Sequence, residues 1–164
     1  MKQPSEALLK KILAAGKAGN RDLKAFEAMA TQACEEKFSY AVHGTTYDVG
    51  ALGTYRHFGG VAVDSRNKEQ THFRIECFEV GPAVGAATGG FWGVINELKD
   101  KEEICYLQSQ TQILVDFGPG VYALYRGYPN DEDYLGTILV FTGGAALNIG
   151  GRGAGRLRIK RRDR

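Results

Sequence analysis

Apolar residues follow two different spacings along the chain. In residues 5–15, Leu8, Leu9, Ile12 and Leu13 recur every three or four positions, and in 21–36 Leu23, Phe26, Ala30 and Ala33 do the same. That is the period of a helix with one buried face. Ser5 has the chemistry of an N-cap, and Gly16 and Gly19 that of a stop. From Phe38 the period drops to two. Phe38, Tyr40 and Val42, and then Thr45, Tyr47 and Val49, mark a first strand; Tyr55, Val61 and Val63 mark a second; Phe73, Ile75, Cys77 or Phe78, and Val80 mark a third.

Residues 84–96, VGAATGGFWGVIN, read as the fourth strand, and 103–117, 120–128, 134–144 and 154–161 as four more. The connections FGPG and GYPNDEDY hold the proline, glycine and Asn-Asp chemistry of turns. Eight strands without helices between them predict an antiparallel barrel or sandwich rather than a parallel sheet. The chain therefore divides into a helical or flexible leader, 1–36, and an all-β eight-stranded antiparallel barrel, 37–164.

Glycine is abundant, with 22 residues among 164. Gly85, Gly89, Gly90 and Gly93 crowd the fourth strand, echoed by Gly143, Gly144, Gly150, Gly151, Gly153 and Gly155. Glycine ordinarily weakens a strand. In a small barrel it lets a tilted strand coil where a side chain would strike the opposite wall, so these glycines read as structural. The alternative for GGRGAG is an anion-cradling loop, but neither a following helix nor a GxxxxGK[ST] pattern accompanies it.

The run GAATGGFWGVI, the acidic turn DKEEI, a long strand, and PNDEDYLGTILVFTGGAALNIGGRGAGRLRI resemble the second half of the VapA/VapB virulence-associated protein family. The matching positions are Gly89, Gly90 and Gly93, then Tyr122 and Tyr125, then Leu135 and Gly136, and last Gly150, Gly151, Gly153 and Gly155. The resemblance spans roughly residues 80–160. It implies a compact barrel of two Greek-key-like halves with a filled interior and no catalytic residues. It also implies a secreted virulence-associated protein acting on host membranes or host proteins.

Charge adds one feature. The formal net charge is only +2, yet the last strand and tail, RLRIKRRDR, alternate Leu157 and Ile159 with Arg156, Arg158, Lys160 and Arg162. One face packs and the other offers four cations to an anionic lipid surface. A nearly neutral domain with no recognised motif argues against nucleic acid as the partner. The N-terminal residues lack the continuous apolar core of a secretory signal, and no run of about 18 apolar residues occurs, so the chain reads as soluble.

Other chemistry is thinly marked. Cys34, Cys77 and Cys105 show no CxxC spacing, and His43, His57 and His72 stand alone in their local sequences, so neither a metal nor another cofactor is predicted. A Cys-His pair, Cys77 with His72 or His43, lacks any neighbouring oxyanion hole. Acids cluster at Glu97, Asp100, Glu102 and Glu103 and at Asp131, Glu132 and Asp133, both in turns. Trp92 reads either as a plug at the barrel's end or as one wall of a pocket. Two other functions stay open: a small-ligand or lipid-binding calycin-type barrel, and a hydrolase with an unmarked site.

Overall fold

Ser5 starts the first helix as its sequence suggests. Its Oγ accepts from the Leu8 N–H at 3.1 Å, while its own N–H and hydroxyl donate to the Glu36 carboxylate at 2.8 and 2.6 Å. The start of α1 (Glu6–Ala18) is thereby tied to the end of α2 (Leu23–Glu35), which makes the two an antiparallel hairpin. Gly19, at φ +61°, ends α1, and the Asp22 side chain caps α2 by accepting from Lys24 N–H at 2.9 Å. These facts come from a computed structural model, which describes residues 3–50, 53–80, 83–99, 102–109, 120–127, 131–143, 147–148 and 152–161.

The strands are β1 (Tyr40–Gly50), β2 (Thr54–Asp64), β3 (Gln70–Val80), β4 (Ala83–Ile95), β5 (Glu102–Ser109), β6 (Gly120–Arg126), β7 (Tyr134–Gly143), β8 (Leu147–Asn148) and β9 (Arg152–Arg161). All pairings are antiparallel, in the circuit β1-β2-β3-β9-β5-β6-β7-β4. β1 also pairs with β4 along its whole length, from Tyr40↔Ile95 to Gly50↔Gly85, and so closes an eight-stranded barrel. The two-residue β8 pairs with the start of β4. Spatial orders 4-1-2-3 and 9-5-6-7 are two Greek keys side by side. The expected eight-stranded, Greek-key barrel is thus the observed fold. Of the fifth strand expected over 103–117, residues 103–109 lie in β5, and residues 110–119, with most of the FGPG turn, lie outside the described residues.

Alternation sorts side chains into two cores. Inside the barrel, Phe58, Phe73, Ile75, Phe91, Ile95, Leu107, Tyr122, Leu124, Ile138 and Leu157 pack together. The rings of Phe58 and Phe73 lie 5.4 and 5.6 Å from that of Phe91, centre to centre, so the middle is an aromatic plug. Outside, Leu8, Ile12, Met29 and Ala33 of the helices share a second core with Ala41, Trp92, Val94, Tyr125, Tyr134 and Leu139. α1 rests on β4 and β7 and α2 on β1. Within the leader, residues 6–35 are therefore almost wholly helical and packed on the barrel.

The glycines keep their structural role, but the cause differs from the expected one. A Cβ on inward-facing Gly93 would lie 2.3 Å from Thr137 O and 2.9 Å from Ile138 Cα, on the adjacent strand rather than the opposite wall. Gly153 and Gly155 are crowded in the same way by β3 backbone. A closed eight-strand sheet is strongly curved, and its concave side brings neighbouring backbones closer than a Cβ tolerates. Gly85 lies at φ +93°, and Gly89 pairs with Thr46 and Thr142. Gly150 and Gly151 lie outside the described residues.

Gly93→Ala should therefore cost about 1–3 kcal/mol or more, as overpacking does. Gly59→Ala faces outward, with its Cβ 3.0 Å from the tip of the His57 ring, and should stay within about 0.5 kcal/mol of the parent. Urea denaturation followed by far-ultraviolet circular dichroism checks both; equal midpoints would show that the inner crowding carries no stability.

Candidate functional site

On the barrel's outer wall away from the helices, strand register lines side chains into rows. Val49, Tyr55, Phe78, Ala154 and Tyr106 are successive partners across β1, β2, β3, β9 and β5. The next row is Tyr47, His57, Glu76, Arg156 and Ile104, and the one after it Thr45, Gly59, Arg74, Arg158 and Glu102. Phe78 and Ile104 are each 70% exposed, Val49 51% and Tyr47 43%. Their rings touch one another: Tyr55 lies 5.3 Å from Phe78, and Tyr47 stacks on His57 at 5.1 Å. An apolar band thus faces solvent beside a charged one.

Arg156 and Arg158 do project from this wall while Leu157 and Ile159 are buried, as the alternation predicts. They are not bare cations. Glu102 accepts from Arg158 Nη2 at 2.6 Å and lies 3.5 Å from Arg156 Nη1, and the Arg158 guanidinium holds the Glu102 carboxyl below its ordinary range. Lys160 pairs in register with His72; its side chain and Arg162 lie outside the described residues.

Behind the apolar band the polarity is reversed. Asp48, Arg56 and Glu79, each no more than 5% exposed, point inward at the same end of the barrel, with Thr46 and Thr54. Arg56 reaches Asp48 Oδ2 at 3.5 Å and Glu79 Oε1 at 3.2 Å, and its guanidinium carbon sits 4.7 Å from the centre of the Tyr122 ring. Burial raises the Glu79 carboxyl above its ordinary value, opposed by Arg56 and reinforced by Asp48. Burial likewise raises the Tyr122 hydroxyl, so it stays protonated. Gly153 makes room for this group, since a Cβ there would lie 2.7 Å from Glu79 Cγ. Sequence reading missed the cluster, although Thr46 and Asp48 share the phase of inward-facing Val42 and so could have been read from it. The apolar set Thr45, Tyr47 and Val49 faces out.

Trp92 occupies neither predicted place. Phe91 points into the barrel, so Trp92 points out, into the core shared with the helices. Its indole folds over Gly90 and meets Phe141 edge-on at 5.7 Å, and Gly16 leaves space for the Phe141 ring. It is a plug between hairpin and barrel. Cys77 is interior, its thiol raised by burial, while His43 and His72 lie on outward positions, so strand alternation keeps that pair apart. Burial pushes Cys105 up to about 12. Among the described residues no three of His, Cys, Asp and Glu gather as metal ligands. Glu103 is held by Arg126 Nε at 2.6 Å and Glu102 by Arg158, so these acids serve as counter-ions, and Asp100 lies outside the described residues.

A cleft of about 460 Å³ runs between α2 and the starts of β1 and β3, with His43, Phe26, Val63 and Lys68 among its walls. The His43 ring meets Phe26 edge-on at 4.5 Å, and burial lowers its pKa. A second hollow, of about 390 Å³, lies over Gly59 on the outer wall. Compared with protein-family models, curated proteins and solved structures, the chain matches none.

Removing the cation between two buried carboxylates should be severe: Arg56→Leu is expected to lose about 3–5 kcal/mol. Glu79→Gln tests the raised carboxyl. The folded chain keeps a proton on Glu79 that the unfolded chain releases near pH 4.5, so this contribution is present at low pH and is lost as pH rises through the raised value. The variant should therefore gain on the parent as pH rises from about 4.5 through the raised value; a constant difference in melting temperature as pH rises above 4.5 would refute the assignment.

Proposed function

We propose that this chain is a non-enzymatic, VapA-like barrel that acts through its outer wall, by contact with anionic host membrane. The observation carrying this reading is the reversed polarity of one barrel end: Tyr47, Val49, Tyr55, Phe78 and Ile104 face solvent while Asp48, Arg56 and Glu79 are buried. Contiguous exposed apolar side chains, rimmed by charge, mark interaction surfaces. Aromatic rings with polar edges favour the interface between lipid and water, and neighbouring arginines favour anionic headgroups. The Greek-key barrel is the architecture that the resemblance implies, and the resemblance adds secretion and a host target to the reading. Among the described residues no helix is long and apolar enough to cross a membrane.

The aromatic plug favours this reading over a calycin-type barrel, whose ligand would need the space that Phe58, Phe73, Phe91 and Tyr122 fill. A hydrolase would need ionisable groups converging on a cleft. The buried acids are instead locked to Arg56.

Co-sedimentation with anionic and neutral vesicles tests the proposal. A variant with Arg156, Arg158, Lys160 and Arg162 neutralised should bind anionic vesicles more weakly at low salt, by up to about 1 kcal/mol, roughly fivefold, per charge, and less where Glu102 already screens the arginine. Phe78→Ser with Ile104→Ser should weaken binding at every salt concentration. Equal binding by parent and both variants would overturn it.

A further inference from the structure

The geometry points to an oxyanion site in the hollow over Gly59, one that binds the phosphate or sulfate group of a small ester. This inference is independent of the membrane reading, although the two share Arg156 and Arg158. Gly59 faces outward on β2, and across the ladder it pairs with Arg74 of β3, which in turn pairs with Arg158 of β9. His57 stands two residues away along β2, and His72 two residues from Arg74 along β3. Between His57 along β2 and Arg74 across the ladder, Gly59 projects no side chain. The result is a depression of about 390 Å³ walled by His57, His72, Arg74 and Arg158, a volume within the range of about 300–1,000 Å³ typical of small-molecule sites.

The walls offer hydrogen-bond donors from two sides. A guanidinium carries five N–H groups and no acceptor. Glu76 takes an Nη2 contact from Arg74, and Glu102 takes Nε and Nη2 of Arg158 at 3.1 and 2.6 Å, so each arginine is steadied by its acid while other N–H groups remain. Arg156, beside the hollow, shares Glu102 with Arg158, so three guanidiniums stand against the two carboxylates Glu76 and Glu102 on this part of the barrel's surface. A tetrahedral oxyanion presents acceptors in several directions and can meet donors from β2, β3 and β9 together, which a planar carboxylate cannot do as fully.

The His57 imidazole makes occupancy sensitive to acid. Burial, and then Arg74, hold the His57 pKa below its ordinary value, with Glu76 opposing. The groups facing it are Tyr47 stacked from β1, Arg74, Glu76 and His72 from β3, and Arg156 and Arg158 from β9. A bound dianion adds negative charge and favours the His57 imidazolium, so affinity rises as pH falls through the range in which His57 titrates.

The test is titration of the full chain with inorganic pyrophosphate at constant ionic strength, read from the ring-proton resonances of the three histidines. His43, packed under Phe26, is the internal reference. Saturable shifts are expected at His57 and His72 and not at His43, with tighter binding at about pH 6 than at about pH 7.5. Gly59→Val fills the hollow without removing a charge, and should weaken binding at least tenfold; Arg74→Gln should do so independently, with thermal melts showing that each variant is folded. Parallel shifts of all three histidines, or undiminished binding by both folded variants, would overturn the site. Glycerol phosphate and phosphatidate vesicles then distinguish the sources. Competition by the soluble ester marks a free metabolite-sized ligand, and competition by the vesicles alone marks a lipid headgroup. Failure of both to compete overturns the ester assignment. Vesicle binding lost while pyrophosphate still binds would refute only the membrane reading.

Discussion

β1 has to hydrogen-bond along both edges at once, to β2 and to β4, and the rest of the structure depends on that closure. Eight strands make a tight ring, whose concave face brings successive backbones too close for a Cβ at several inward positions. Gly93, Gly136, Gly153 and Gly155 lie at such positions, each facing backbone of the next strand. Gly44 and Gly60 pair with one another on β1 and β2 for the same reason. What space remains inside is small enough for a few phenylalanines to fill. The same tightness that requires the glycines thus removes the room a ligand-holding barrel needs, and moves any chemistry to the outside wall or the ends.

At one end, closure creates a second constraint. Asp48, Arg56 and Glu79 are drawn inward by strict alternation, and alternation then sends Tyr47, Val49, Tyr55 and Phe78 into solvent. Reversing them would bury aromatic bulk beside Gly153, where the inner wall has space only for a slender side chain. The inner charges hold one another, with the Tyr122 ring dividing them from the aromatic plug. The exposed band is therefore the outward counterpart of a polar interior rather than a defect in patterning.

Much of this was legible in the residues. The helix periods of 5–15 and 21–36, the Ser5 cap and the eight alternating segments all correspond to elements in the structure. Other features were hidden because they depend on neighbours distant in sequence. The inward phase of Asp48 could be carried from Val42, but its partners Arg56 and Glu79 lie on other strands. The glycines pointed to curvature, but the crowding partner, such as Thr137 for Gly93, is set by strand order. Nothing near Arg158 in sequence announces Glu102, and nothing near Gly59 announces Arg158. Trp92 was misplaced for a simpler reason: with Phe91 beside it, only one of the two could face inward.

The position of Trp92 also makes the molecule optically asymmetric. It is the chain's single tryptophan, and its indole is enclosed by Gly90, Phe141 and the core beneath α1. Tryptophan fluorescence therefore belongs to the seam between hairpin and barrel. Its emission reports whether the helices are seated on β4 and β7, and an encounter confined to the opposite wall passes without a change of colour unless it loosens that seam.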